Sequence, residues 1–433
     1  MIKPSHALTV NASAAALRAR AFTSEALTAT MLDRIAATDA NVQAWAYLDR
    51  EYAIATARDI DVNRPDGPLA GIGIGAKDII ATADLPTQIG SPIFADAQPS
   101  RDAECVSRLK RAGGFVLGKT VTTEFAFMQP GKTRNPWNAA HTPGGSSSGS
   151  AAAVAIGQVA AALGTQTNGS VIRPAAYCGV VGYKPTLNLL PYEGAYLFSQ
   201  TLDTLGVFAR NVDDCALVAA CLADRGTLDV AVPALPAAPR LALLAGFPWA
   251  AVSAEQRAAI DTAVELLRRA GAQLTTVTLP DRWRNAHIVH RAIMLHEGAQ
   301  HLGPLQDKER LRMSAKLNAA LDAGRALTAP AYAEALAERT EVIAALTAWL
   351  APFAAVLSPP ALGPAPEDLT QTGDPACCTL WSLAGFPAIS LPVALAVNGL
   401  PLGLQLAAPQ RKDRALLATA RWCEQHLPFR GLV

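Results

Sequence analysis

Residues 24–38, SEALTATMLDRIAAT, set Leu27, Met31 and Ile35 at helical spacing behind Thr23 or Ser24 as a cap, which predicts a helix. Two short glycine and apolar runs, GIGIG at 71–75 and GFVLG at 114–118, read as strands. Helices are predicted again over 150–162, over 254–270 (AEQRAAIDTAVELLRRA) and through much of 311–350. VLSPPALGPAP at 356–366 reads as a proline-broken loop, after which AISLPVAL and GLQLAA regain strand character. Strands and helices alternate without a repeat or a long low-complexity linker. The pattern therefore predicts one large α/β domain over residues 1–433, with a helical segment of about residues 1–60 packed on it.

Composition sharpens this picture. Hydrophobic residues make up 51% of the 433 and charged residues only 17%, below the usual ~25% charged, which calls for a large core or a buried subunit interface. The 37 basic and 36 acidic residues leave a net charge of +1 with no basic block, so direct nucleic-acid binding is not expected. The N-terminal MIKPSHALTVNASAAALRARAF mixes arginines and polar residues into its apolar positions and lacks the apolar core of a secretory leader. Apolar runs such as LALLAGFPWAAV at 241–252 are too short to span a bilayer. Seven cysteines, two of them adjacent at 377 and 378, show no metal-ligand spacing. A reduced, cytoplasmic protein is the expectation.

Two phosphate-binding patterns are misleading. Gly113 to Thr120 satisfies G-x-x-x-x-G-K-T, but a phosphate loop needs its strand before the first glycine. Here Phe115-Val116-Leu117 fills the interval and reads as the strand itself. The glycines of GIGIGAK at 71–77 do not follow G-x-G-x-x-G. Nucleotide binding is excluded on both counts.

PGGSSSGSAAAVAIG at 143–157 has the composition of a flexible spacer yet runs straight into an alanine-rich helix. A helix over 149–160 would carry the chain outward by about 18 Å. An extended return over 161–167 would cover about 23 Å. The two legs nearly cancel, so the Gly-Ser turns at 145–146 and 169–170 can lie side by side at one sheet edge. Thr167-Asn168-Gly169-Ser170 could then supply converging backbone N–H groups for an oxyanion, with the serine hydroxyl beside them.

A serine nucleophile needs a base. The seven histidines form no evident triad, and His141, near the serine loop, reads as structural. Lys77, at the end of GIGIGAKD, could be desolvated by its apolar run; lowering its pKa from ~10.4 to ~8 would cost about 3 kcal/mol. A surface lysine paired with Asp78 is the competing reading.

GIGIGAKDII, NPWNAAHTPGGSSSGSAAAVAIG, LGTQTNGSVIRPAAYCGVVGYKPT and GFPAISLP…GLPLGLQL together resemble the amidase signature family, from about residue 24 to the C-terminus. TQTNGSVIRPAAYCG and TLDTLG at 201–206 are most similar to its malonamidase-like branch. The resemblance implies a mixed twisted sheet covered by helices on both faces. It also implies a Ser-cisSer-Lys triad: Ser170 as nucleophile, Ser146 as bridging serine after a cis peptide bond, and Lys77 as base. The backbone N–H groups of Thr167, Asn168, Gly169 and Ser170 would form the oxyanion hole, with no metal or cofactor. The implied activity is cleavage of a small-molecule amide through an acyl-enzyme, and the low charged share allows a homodimer. Asn168 stands where most relatives have Gly, and Gln166 where many have Asp. If the hole needs a positive φ at 168, asparagine is the least costly replacement.

Arg173, three residues after Ser170, matches an arginine that binds the substrate carboxylate in malonamidase-like enzymes; a structural arginine pairing with a carboxylate or a backbone carbonyl is the alternative. Phe127, Met128, Tyr196, Phe198 and Trp381 flank the matched motifs as candidates for an acyl pocket. Two further substrate classes stay open: hydrophobic or aryl amides and carbamates, and glutamine in an amidotransferase A-subunit.

Overall fold

The computed structural model describes residues 4–433. Its frame is one sheet of eleven strands: β1 (Trp45–Tyr47), β2 (Gly73–Lys77), β3 (Phe115–Thr120), β4 (Ala161–Gln166), β5 (Val181–Lys184), β6 (Thr204–Ala209), β7 (Arg240–Leu244), β8 (Gln273–Val277), β9 (Ala355–Ser358), β10 (Ala388–Leu395) and β11 (Pro401–Ala407). They lie in the order β1-β3-β2-β4-β6-β5-β10-β11-β9-β7-β8. β2 runs parallel to both β3 and β4, whereas β4, β6, β5, β10, β11 and β9 alternate in direction. The sheet is therefore mixed. Every residue of β2, β3 and β4 is buried, as expected of strands covered on both faces. Thirteen α-helices among the described residues supply the cover.

The predicted first helix forms as Ser24–Val42, with Thr23 accepting from Ala26 N as its cap. The N-terminal segment is less uniformly helical than expected, because β1 leaves it to join the sheet beside β3. GIGIG and GFVLG become β2 and β3, each displaced toward the C-terminus. The region 311–350 divides into the helices Ala315–Arg325 and Ala329–Leu350, separated where Thr328 caps the second.

Two expectations need correction. The helix predicted over 150–162 is only Ser148–Ala155. It stops because Gly157 adopts φ +71° and Gln158 N turns back to Ala153 O at 2.9 Å. The alanines that follow belong to β4. Small side chains are needed there: a Cβ on Gly164 would come within 2.7 Å of Ser147 Oγ and 2.6 Å of Phe208. The proline-broken loop at 356–366 also begins as a strand, since Val356 and Leu357 pair with both β7 and β11 before Pro359 ends the ladder. The 24-residue helix Ala286–Glu309 was not anticipated.

Gly149 fixes how closely the helix Ser148–Ala155 can approach the sheet. A Cβ there would lie 2.2 Å from Ala44 O and 2.3 Å from Val121 N, both backbone atoms that cannot step aside. Gly149→Ala is expected to destabilise the fold by about 1–3 kcal/mol, the range for an overpacked core. Urea unfolding at constant m-value checks this, and an unchanged midpoint would contradict the packing described.

Candidate active site

The serine-rich stretch is stitched to the sheet. Ser147 Oγ donates to Thr165 O (3.1 Å) and accepts from Thr165 N (3.2 Å). Ser150 Oγ donates to Leu163 O at 2.8 Å, and Ser148 Oγ to Val121 O at 3.3 Å. Ser146, Ser147, Ser148 and Ser150 are all buried. Short hydroxyls allow the turn to lie against β3 and β4 while each of these serine hydroxyls finds a partner. The peptide bond between Gly145 and Ser146 is cis. The only positive φ near this turn is at Gly144, +81°, where a Cβ would sit 2.8 Å from Pro174 Cα.

Lys77 closes β2 with no exposed surface. Its Nζ lies 2.7 Å from Ser146 Oγ and 2.8 Å from Thr165 Oγ1. The surface-lysine reading is thereby overturned, since Asp78 pairs with Lys119 at 3.4 Å. Burial brings the Lys77 amine down from its ordinary value to about 7, against a smaller upward pull from the Asp203 carboxylate. Lys119, the lysine of the false phosphate loop, lies inside β3 and donates to Ile80 O (2.8 Å) and Thr87 Oγ1 (2.6 Å). It secures the segment after β2 and faces no open nest of amides.

Between β4 and the helix Ile172–Cys178 the chain makes its second turn, Thr167 to Val171. Gln166 organises it: Oε1 accepts from Val171 N (2.8 Å) and Ile172 N (3.0 Å), and Nε2 donates to Ser382 Oγ (3.0 Å). A carboxamide can do both, where a carboxylate could only accept. Thr167 Oγ1 donates to Asp203 at 2.6 Å, and Asn168 Oδ1 accepts from Thr379 Oγ1 at 2.9 Å. No residue from 167 to 170 has a positive φ, so the turn makes no left-handed demand on Asn168. Gly169 is small for a different reason: a Cβ would crowd Pro375 at 3.0 Å and Arg173 and Cys378 at 3.2 Å. The N–H groups of Asn168, Gly169 and Ser170 donate to no backbone acceptor among the described residues.

Ser146, Thr167, Asn168, Gly169, Ser170 and Arg173 line one cavity of about 480 Å³. Ser170 is half-buried at its wall. Lys77 stands behind Ser146, away from the lining. Arg173 is buried, with Nη2 donating to Gly145 O (2.7 Å) and Thr372 Oγ1 (3.1 Å). Its Nε and Nη1 have no partner, and no carboxylate pairs with it among the described residues. Burial lowers its pKa.

Of the apolar candidates, Phe127, Met128 and Phe198 reach the cavity, with the Phe127 and Phe198 rings stacked at 5.0 Å. Tyr196 instead packs on Phe94 and Phe125, and Trp381 is fully buried against Phe247. Trp249, His287, His290, Arg291 and Met294 complete one wall. The last four share a face of the helix Ala286–Glu309; their i, i+3/i+4, i+7 spacing was the available signal. His141 is structural, its Nδ1 2.8 Å from Ala365 O.

A buried lysine hydrogen-bonded to a serine, beside a second serine and backbone amides without acceptors, is an arrangement suited to acyl transfer. The amidase family model matches residues 26–417. The chain belongs to that family and is an amidohydrolase. It is 40% identical over 301 residues to the A-subunit of the glutamyl-tRNA(Gln) amidotransferase of Roseiflexus castenholzii; the match covers 64% of this chain and 61% of that relative, under two-thirds of its length. The corresponding protein of a Synechococcus species is 33% identical, with 95% of each chain covered. A crystal structure described as an amidase superposes with a TM-score of 0.89 at 30% identity, over 97% of this chain and 100% of the other.

Burial of Lys77 has a consequence for stability. Its amine titrates near 7 when folded but near ~10.4 when unfolded. Between those values the unfolded chain holds the extra proton, so this residue makes stability rise with pH, and the contribution is lost as pH falls through 7. The melting temperature of the wild type relative to Lys77→Met is expected to climb from pH 7 to pH 10. Parallel curves across that range would contradict a depressed Lys77.

Proposed function

We propose that this amidohydrolase cleaves a linear C–N amide bond of a small, carboxylate-bearing substrate through an acyl-enzyme on Ser170. The observation that carries the reading is the dry Lys77–Ser146 contact opening on the same cavity as Ser170. Neutral Lys77 takes the Ser146 proton as Ser146 takes that of Ser170, whose Oγ bonds to the carbonyl carbon. The N–H groups of 167–170 receive the oxyanion. On collapse, Lys77 returns its proton through Ser146 to the leaving nitrogen, the C–N bond breaks, and ammonia or an amine departs. Water then attacks the acyl ester by the same relay, leaving the free acid and the resting enzyme.

The unpaired Nε and Nη1 of Arg173 support a carboxylate on the acyl side, since a buried guanidinium is costly when no carboxylate bonds it directly and only Asp374 acts on it from a distance. Both a half-amide of a short dicarboxylic acid and glutamine carry such a group. The curated relatives, being amidotransferase A-subunits, favour glutamine as the ammonia source. In that reading the chain works with partner subunits.

Ser170→Ala should fold normally and lose essentially all turnover, and a fluorophosphonate adduct should map to Ser170 by mass spectrometry. An adduct on Ser146 would reverse the two roles. The rate should rise with pH through about 7, because only the neutral amine accepts a proton. Lys77→Arg cannot deprotonate in this range and should keep less than a tenth of the rate.

Arg173→Ala decides the substrate class. A charge-assisted pair in a partly dry site contributes about 1.5–3 kcal/mol, roughly ten- to a hundredfold. That factor should be lost on malonamate or glutamine and preserved on a neutral amide such as propionamide. An unchanged kcat/KM ratio between charged and neutral substrates would move hydrophobic amides to first place. Wild-type preference between malonamate and glutamine separates the two carboxylate readings.

A further inference from the structure

The turn that carries the proposed oxyanion donors has its carbonyls anchored one after another. His290 Nε2 lies 3.1 Å from Thr167 O; a carbonyl can only accept, so Nε2 carries the proton. Ser382 Oγ donates to Asn168 O, itself held by Gln166 Nε2 at 3.0 Å. Arg173 N donates to Gly169 O at 2.9 Å. In a trans peptide unit the C=O and N–H point in opposite directions, and the cis bond at 145–146 is elsewhere. Fixing these three carbonyls therefore turns the N–H groups of Asn168, Gly169 and Ser170 the other way. Those are the amides without a backbone acceptor.

We infer that His290 and Ser382 are positioning residues for the oxyanion hole: each holds a peptide carbonyl so that the next N–H is aimed before substrate arrives. The inference rests on Ser170 being the nucleophile. His290 is suited to the task because it is buried at the cavity wall on a long helix. Burial, aided by Arg339, lowers its pKa to about 4, against the opposing contact with Thr167 O. It is thus a neutral donor across the working range and no general base. Asp203 steadies the same residue from another side through Thr167 Oγ1. Preorganisation of this kind matters because donors that need not reorganise during reaction stabilise the developing charge most.

The test is the rate at which a fluorophosphonate phosphonylates Ser170 in the purified full chain, followed by intact mass over a range of probe concentrations. His290→Phe keeps a ring without the donor, and His290→Gln keeps a neutral N–H. The limiting rate should fall ten- to a hundredfold in His290→Phe and recover to within about threefold of wild type in His290→Gln. The concentration giving half-maximal rate and the melting temperature should change little. Ser382→Ala, acting on the next peptide, should show the same loss and carries the test if His290→Phe does not fold. Undiminished labelling of Ser170 in both His290→Phe and Ser382→Ala would overturn the inference alone. Failure of the wild type to label at Ser170 would overturn it together with the nucleophile assignment.

Discussion

The amine of Lys77 is buried with no exposed surface, and the geometry around it follows from that. A lysine at the end of an apolar strand cannot keep its proton cheaply, and burial brings it to about 7. It can stay there only if its hydrogen bonds are satisfied, which Ser146 and Thr165 do at 2.7 and 2.8 Å. Thr165 comes from β4, adjacent to β2 in the sheet, and Ser146 from the turn stitched to that strand by Ser147 and Ser150. Asp203 supplies a remote counter-charge that keeps the amine from falling further. The sheet order thus becomes a physical requirement: β2 and β4 must be neighbours for the Lys77 amine to be buried and still hydrogen-bonded.

The unusual composition has the same origin. Alanine, glycine and serine fill 143–164 because the helix Ser148–Ala155 lies so close to β3 and β4 that Gly149 and Gly164 leave no room for a Cβ. A stretch with a spacer's composition is consequently among the most buried parts of the chain. The proposed catalytic serines, Ser146 and Ser170, sit on the two turns flanking this layer. Both are held by side-chain contacts more than by regular backbone pairing: the serines on one side, Gln166, Asp203, Ser382 and His290 on the other.

Much of this was legible in the residues. The Leu27, Met31, Ile35 spacing located the helix Ser24–Val42, and the Phe-Val-Leu interval exposed the false phosphate loop as β3. The return of the chain beside Ser146 was also readable, although the helix proved shorter than its alanines suggested, because propensity does not announce a stop made by Gly157 and Gln158. Lys77 could not be decided from spacing: its neighbour Asp78 offered a plausible partner, and only the fold gives Asp78 to Lys119. His290, Ser382 and Arg291 were invisible for a related reason. All three lie over a hundred residues from Ser170; His290 and Arg291 reach the cavity, and Ser382 the turn at Asn168, through long-range packing that no local pattern encodes.

The proposed relay needs a neutral Lys77 at working pH. That state can be measured directly by labelling the lysines with ¹³C at Cε and following their resonances against pH, with Lys77 assigned by its loss in Lys77→Arg. Comparison with that variant also separates it from Lys184, another buried lysine brought to about 7. Lys77 is expected to titrate at about 7 in the folded protein. A Lys77 resonance that stays protonated up to pH 10 would contradict it, because a charged amine cannot draw a proton from Ser146.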